Sequence, residues 1–379
     1  SSLSFRTIPL EAPDKIFIKP FFSIALKCCS AALGDLKPKD LAISALVGGN
    51  PKSNICALIK FKISSCLLVR FFIIITVIIY SILYYAIMLK IGITSRALFD
   101  LDSSHLIFKN DGLEAYKEYQ IVKENCPLKP GQAFSLVKKL LNLNNQFSDE
   151  KLVEVFLLSR NTADTGLRIF NSIQYHGLDI EKAAFCGGNS PHVYAKSFGV
   201  HLFLSTEFED CKSSINSGIA SARIMPSRNS KVDNETLKVA FDGDSVIFSE
   251  ESQKIFDEYG LDAFNKNEKN LADNPLSGGP FKSFLRELYK VQQSFPRTQC
   301  PVRIALVTAR SAPSHERVIK TLREWKIRID ESLFLGGMDK TSFLKDFGAD
   351  IFFDDQIENC KSACLEVPTG QVINFNSRI

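Results

Sequence analysis

The stretch KVAFDGDSVIFS (238–249) places two carboxylates, Asp242 and Asp244, one residue apart at the end of an apolar run. Like charges so close repel, and the pair becomes tolerable when a cation is held between it and a further carboxylate. The string IFFDD (351–355) offers Asp354 and Asp355 as the opposing acids. Asp242, Asp244, Asp354 and Asp355 are therefore the candidate metal ligands. Mg2+ suits them, because it wants hard oxygen ligands, keeps some waters and favours sites that also hold phosphate. With the anionic repulsion screened, Asp242 can attack phosphorus as a covalent nucleophile. Asp244, two residues on, can protonate the leaving oxygen and later deprotonate water. Thr308, closing the run RIALVT, would donate a hydrogen bond to a phosphoryl oxygen, and Lys340 would balance charge that builds in the transition state. Lys345, in FLKDF, is a rival for Lys340, but a helical pattern would expose it to solvent.

The elements that must position these residues read as an internal repeat. SRALFDLDSS (95–104) resembles LKVAFDGDSV (237–246), which sets Asp100 and Asp102 against Asp242 and Asp244. GLEAY (112–116) follows GLDAF (260–264), EVFLLSRN (154–161) follows RIALVTAR (303–310), AAFCGG (183–188) follows SLFLGG (332–337), and HLFLST (201–206) follows DIFFDD (350–355). Each copy reads as strands alternating with amphipathic helices, which implies parallel sheets covered by helices. Ligands of such sheets lie outside the carboxyl ends of the strands, where every marked residue falls. Only the second copy is fully equipped. Pro191 stands where Lys340 would be, and Ser205-Thr206 stand for Asp354-Asp355. Two readings follow for Asp100 and Asp102: a strand-end cap or solvated loop, or part of a half that helps bind the substrate or a regulatory ligand. In the second, SRNTADTG (159–166) and GGNSP (187–191) face a cleft between halves, and Asn161 and Asn189 contact the substrate there.

The set DGDSV, LVT, Lys340 and FFDD, in this order and at strand ends, resembles the haloacid dehalogenase superfamily of phosphotransferases. The longer strings VAFDGDSVIFSEES, LVTARSAPS, FLGG and IFFDDQ, with TSRALFDLD, FNSI and GGNSP upstream, resemble the cytosolic 5′-nucleotidase type 1 family from about residue 91 to about 370. The resemblance implies an α/β fold of two related, Rossmann-like halves from an internal duplication, the second catalytic. It also implies magnesium-dependent removal of the 5′-phosphate from nucleoside monophosphates, AMP prominently, in the cytoplasm. Asp242 would be the nucleophile, Asp244 the acid/base, Thr308 and Lys340 the phosphate ligands, and Asp354 a metal carboxylate. Asp355 is left between a metal-site group and a strand-end cap. The alternatives are a phosphatase of another small phosphate ester, or a non-catalytic nucleotide-binding protein associated with a membrane.

Composition narrows the partners. Residues 1–90 hold eleven Lys/Arg against four Asp/Glu, so the remainder is slightly acidic and presents no recurring basic stripe for nucleic acid. Ten cysteines form no CxxC pair and read as free thiols in a reducing compartment. There is neither a P-loop nor a dinucleotide fingerprint. Residues 71–88, FFIIITVIIYSILYYAIM, reach the length of a membrane span, with a buried strand–helix pair, or sequence that does not belong to the mature protein, as the other readings. The organisation expected is a poorly ordered basic segment (1–65), the apolar segment (66–90), a first α/β half (91–206), a connector (207–236) and the catalytic half (237–379). The nucleoside monophosphate substrate aside, a regulatory nucleotide and a homo-oligomer are admitted as partners.

Overall fold

The computed structural model describes residues 88–146, 151–227 and 236–373. Two compact units divide the chain: Ser1–Ile87 with Gln293–Gln299, and Met88–Gln292 with Cys300–Ile379. Of the first, only Gln293–Gln299 lie among the described residues, and the second holds every described strand. The segments read as poorly ordered (1–65) and apolar (66–90) fall outside the described residues, except for Met88, Leu89 and Lys90. Among the described residues, no helix is long and apolar enough to cross a membrane.

Ten strands form one sheet: β1 (Leu89–Ile93), β2 (Val153–Ser159), β3 (Lys182–Phe185), β4 (Leu202–Ser205), β5 (Ala220–Ile224), β6 (Leu237–Phe241), β7 (Val302–Thr308), β8 (Glu331–Phe334), β9 (Ile351–Asp354) and β10 (Thr369–Val372). Their order is β3-β2-β1-β4-β5-β10-β9-β6-β7-β8. Every pairing is parallel except β5 with β10. The central strands are near-continuous apolar runs because both faces are covered. Alternation along them sends side chains to opposite faces. Phe241 and Phe353 meet Phe281 and Phe284, the latter on helix Lys282–Gln293, on one face. Ala240, Ala305, Val307 and Phe352 pack with Leu344 and Phe347 of helix Thr341–Phe347 on the other.

The single antiparallel pairing has a large effect. Strands of the first five run opposite to strands of the second five, so the carboxyl ends of the two sets lie on opposite edges of one sheet. Among the described residues, the loops at the carboxyl ends of the two sets therefore do not line one shared cleft. Residues 207–236, expected as a connector, contain helix Phe208–Asn216 and β5, and so complete the sheet.

Register also corrects the alignment of Asp100 and Asp102. Ile93 pairs with Leu157 and Leu204, as Phe241 pairs with Leu306 and Phe353. Thr94 N–H donates to Leu204 O at 2.9 Å, and Asp242 N–H to Phe353 O at 2.8 Å. Thr94-Ser95-Arg96 therefore take the strand-end position that Asp242-Gly243-Asp244 take after β6. Asp100 and Asp102 lie farther along and are exposed, and Asp100 Oδ1 accepts a hydrogen bond from Asp102 N–H at 3.1 Å. They are thus exposed groups at the start of helix Asp102–Val122 and do not cap a strand end.

Candidate active site

β6 is flanked by β7 and β9, so the residues that follow these three strands converge on one edge. Asp242 leaves β6 in an extended conformation, and the turn Gly243–Ile247 then reverses the chain, with Ser245 at φ 63°. Gly243 permits close approach: a Cβ there would lie 3.2 Å from Thr308 Oγ1. Thr308 thus packs beside Asp242 and is itself buried. Lys340 immediately precedes helix Thr341–Phe347 and reaches back over the strand ends. Its Nζ lies 2.8 Å from Asp242 Oδ1 and donates to Asp354 Oδ2 at 2.7 Å.

Asp242, Asp354 and Asp355 each offer an oxygen within 4.8 Å of the others. Burial pushes the Asp242 carboxyl up to about 7; Lys340 opposes the rise and Asp354 adds to it. Burial likewise pushes Asp355 up to about 8, with Asp242 and Asp354 adding. Burial alone would lower the Lys340 ammonium, but Asp242 and Asp354 outweigh it and hold its pKa above the ordinary lysine value. Three carboxylates thus share one ammonium in a desolvated site. A hard divalent cation among their oxygens would relieve that excess of negative charge, so the donor set fits Mg2+.

Asp244 is not in this group. Its carboxylate is held by Arg310, with Nε to Oδ2 at 2.8 Å and Nη2 to Oδ1 at 2.6 Å. The turn that reverses the chain after Gly243 carries it toward the loop following β7. Arg310 Nη1 also donates to Glu268, which accepts from Arg317 Nη1 at 2.9 Å and from Ser252 Oγ at 2.9 Å. Burial pulls Glu268 upward, but Arg310, Ser252 and Arg317 outweigh it and hold its carboxyl below the ordinary 4.5. Asp354 is fixed by Gln356 N–H at 2.8 Å and by Asn359 Nδ2 at 3.1 Å.

The structure therefore brings Asp242, Thr308, Lys340, Asp354 and Asp355 together. Lys345 stands on the exposed face of its helix, paired with Glu366. Asn161 and Asn189 are elsewhere. They follow β2 and β3, on the opposite edge and six or more strands from β6, which is on the order of 30 Å at ordinary strand spacing. Asn161 Oδ1 instead accepts from Tyr116 Oη at 2.7 Å, and Asn189 is exposed. Sequence reasoning missed Arg310, Glu268 and Asn359. The first sits two residues after Thr308, and the last five after Asp354, one helical turn on. For Glu268 there was no local signal.

A profile of the 5′-nucleotidase family matches residues 84–378. Human cytosolic 5′-nucleotidase 1B is 39% identical over 286 residues, 73% of this chain and 47% of that protein. The chain thus spans about half the length of that relative. Among solved structures, histidinol dehydrogenase from Elizabethkingia anophelis aligns over 76% of this chain and 53% of its own, at 11% identity and a TM-score of 0.20, too low to support any inference. On the extent of the profile match and the identity to the human protein, the chain belongs to the 5′-nucleotidase family.

Proposed function

We propose that the chain is a phosphoric monoester hydrolase that converts nucleoside 5′-monophosphates, AMP prominently, to nucleoside and phosphate. The observation that carries this reading is the buried group of Asp242, Asp354 and Asp355 with Lys340 bridging two of them. Mg2+, held by these three carboxylates, would draw the anionic phosphate in and screen it from Asp242. Asp242 attacks phosphorus and becomes an aspartyl phosphate. Lys340 and Thr308 hold the phosphoryl oxygens and the charge that builds on them. Asp244 gives its proton to the leaving 5′-oxygen and later takes one from water. Arg310 holds both oxygens of Asp244, so the acid role requires that side chain to swing off the guanidinium when substrate arrives.

Two further readings accompany this one. The matching strand orders and registers on either side of β5 and β10 support an internal duplication into haloacid dehalogenase-like halves, 91–206 and 237–379, the second catalytic. The cytosolic relative supports a cytoplasmic location.

The test is phosphate release from a panel of nucleoside 5′-monophosphates and simple phosphate esters, with and without Mg2+. Metal-dependent release from nucleotides, lost in Asp242→Asn with the fold retained by circular dichroism, is expected. Turnover that survives in Asp242→Asn rules out the covalent mechanism, and release from simple esters alone rules out the nucleotide substrate.

A further inference from the structure

The opposite edge of the sheet carries chemistry of the reverse sign. After β1, β2 and β4, which are adjacent, stand Thr94, Asn161 and Thr206. Thr94 is 7% exposed, and its Oγ1 is buried without a hydrogen-bond partner among the described residues. Thr206 Oγ1 and Asn161 Nδ2 are likewise buried and unpartnered there. Buried polar atoms are nearly always satisfied, so three such atoms on neighbouring strand ends call for one explanation. All three can donate, and an amide nitrogen can only donate. Their common complement is a group that only accepts.

The register sharpens this. Thr94 holds the place of Asp242, and Thr206, two residues past Leu204, holds that of Asp355, two past Phe353. Arg96 holds the place of Asp244. Where one edge presents acceptors suited to a cation, the other presents hydroxyls and a guanidinium. Arg96 is 30% exposed at its side chain and pairs with Glu207, the residue next to Thr206, at 2.8 Å and with the exposed Asp102 at 3.7 Å, pairs that an incoming phosphoryl group would displace. Ser95 Oγ lies 3.0 Å from Ser159 Oγ, which accepts from Asn161 N–H at 3.2 Å, so the ends of β1 and β2 are tied together, and the Arg96–Glu207 pair joins the end of β4 to them. A guanidinium matches phosphate bidentately, and several donors on neighbouring strand ends suit a tetrahedral oxyanion better than a planar carboxylate.

We propose that this edge binds a phosphoryl group without metal and without hydrolysing it, through Thr94, Arg96, Asn161 and Thr206. Thr94 has no carboxylate with which to attack, and among the described residues the acidic group that could hold a metal is the one at Asp242, Asp354 and Asp355. The site goes beyond the proposed hydrolytic reaction and is independent of it. Inorganic phosphate and the phosphate of a nucleoside monophosphate share the chemistry recognised.

Equilibrium dialysis of the full chain against radiolabelled inorganic phosphate in excess EDTA tests it. Saturable binding is expected, weakened by about tenfold or more in Thr94→Val/Thr206→Val, as loss of hydrogen bonds to a charged ligand implies. Arg96→Gln should weaken it similarly, Thr94→Ser should keep it, and Asp242→Asn should leave it unchanged. Metal-dependent turnover of the Thr94, Thr206 and Arg96 variants should stay near wild type, which also shows that they fold. Displacement by AMP at lower concentration than by phosphate identifies a phosphate monoester as ligand, and failure of AMP to displace identifies inorganic phosphate. Absence of metal-free phosphate binding overturns the proposal whatever the turnover. So does binding that survives Thr94→Val/Thr206→Val but is lost in Asp242→Asn.

Discussion

Arg310 is where a single substitution should report most on how the site is held. Its guanidinium is buried, grips both oxygens of Asp244 and reaches Glu268, which is fully buried. Arg310→Met leaves Asp244 with no cation and Glu268 with Arg317 alone. Removing one partner from a buried ion pair costs about 3–5 kcal/mol, much of it the penalty of the charge left behind. If that is the origin of the loss, neutralising the stranded acids should return most of it, since apolar or neutral replacements of a buried network are often nearly neutral. Arg310→Met/Asp244→Asn/Glu268→Gln should therefore be more stable than Arg310→Met alone. Urea denaturation at pH 7 of the wild type, Arg310→Met, Asp244→Asn/Glu268→Gln and the triple variant measures this. Glu268 adds a pH signature. Its folded carboxyl lies below the ordinary 4.5, so its stabilisation is present above that value and lost as pH falls through the lowered one. Glu268→Gln should remove that part of the acid limb. A loss below about 1 kcal/mol in Arg310→Met, or strict additivity across the set, would refute the account.

Other outcomes follow from the same geometry. Mg2+ should raise the melting temperature of the wild type, and Asp354→Asn should abolish both that rise and turnover; an undiminished rise in the variant excludes the acidic group as the metal site. Lys139 Nζ sits 2.6 Å from Asp350 Oδ1, both buried, and joins helix Phe134–Asn142 to the loop before β9. Lys139→Met should cost about 3–5 kcal/mol, with Lys139→Met/Asp350→Asn recovering much of it in the same denaturation assay. A Cβ at Gly279 would lie 2.3 Å from Phe248 O and 2.5 Å from Val246 O, both backbone atoms that cannot swing aside. Gly279→Ala should therefore destabilise by about 1–3 kcal/mol or more and lower turnover through the turn that carries Asp244; wild-type values for both would show that the turn has room.

The convergence of Asp242, Thr308 and the Asp354-Asp355 pair was legible because each closes or follows an apolar strand run that announces itself locally, whereas Lys340, six residues past β8, was picked out by its order among the other motifs. Strand–helix alternation was legible for the same reason. The antiparallel joint was not: IASARI and TGQV are short runs whose residues say nothing about direction of pairing, which is set by partners more than a hundred residues away. The resemblance of DLD to DGD misled, since Asp100 and Asp102 share letters with Asp242 and Asp244 but not a position counted from the strand ladder. Arg310 and Glu268 were hidden because Arg310 pairs with Asp244 across 66 residues and with Glu268 across 42. Asn161 and Asn189 were assigned to the substrate on the assumption of a shared cleft, which the reversed strand directions rule out.

The β5–β10 ladder also decides how the chain can be divided. A fragment that began at β6 would keep every proposed catalytic side chain, yet it would leave β10 as an open border with a row of unpaired amides and carbonyls. Such borders template pairing with other chains, and this one carries the buried Thr369, Gly370, Gln371 and Val372 without a charge to discourage it. The other fragment would bare β5, whose Ala220, Ser221, Ala222 and Ile224 are buried as well. Each set of strands is thus the other's protection against aggregation.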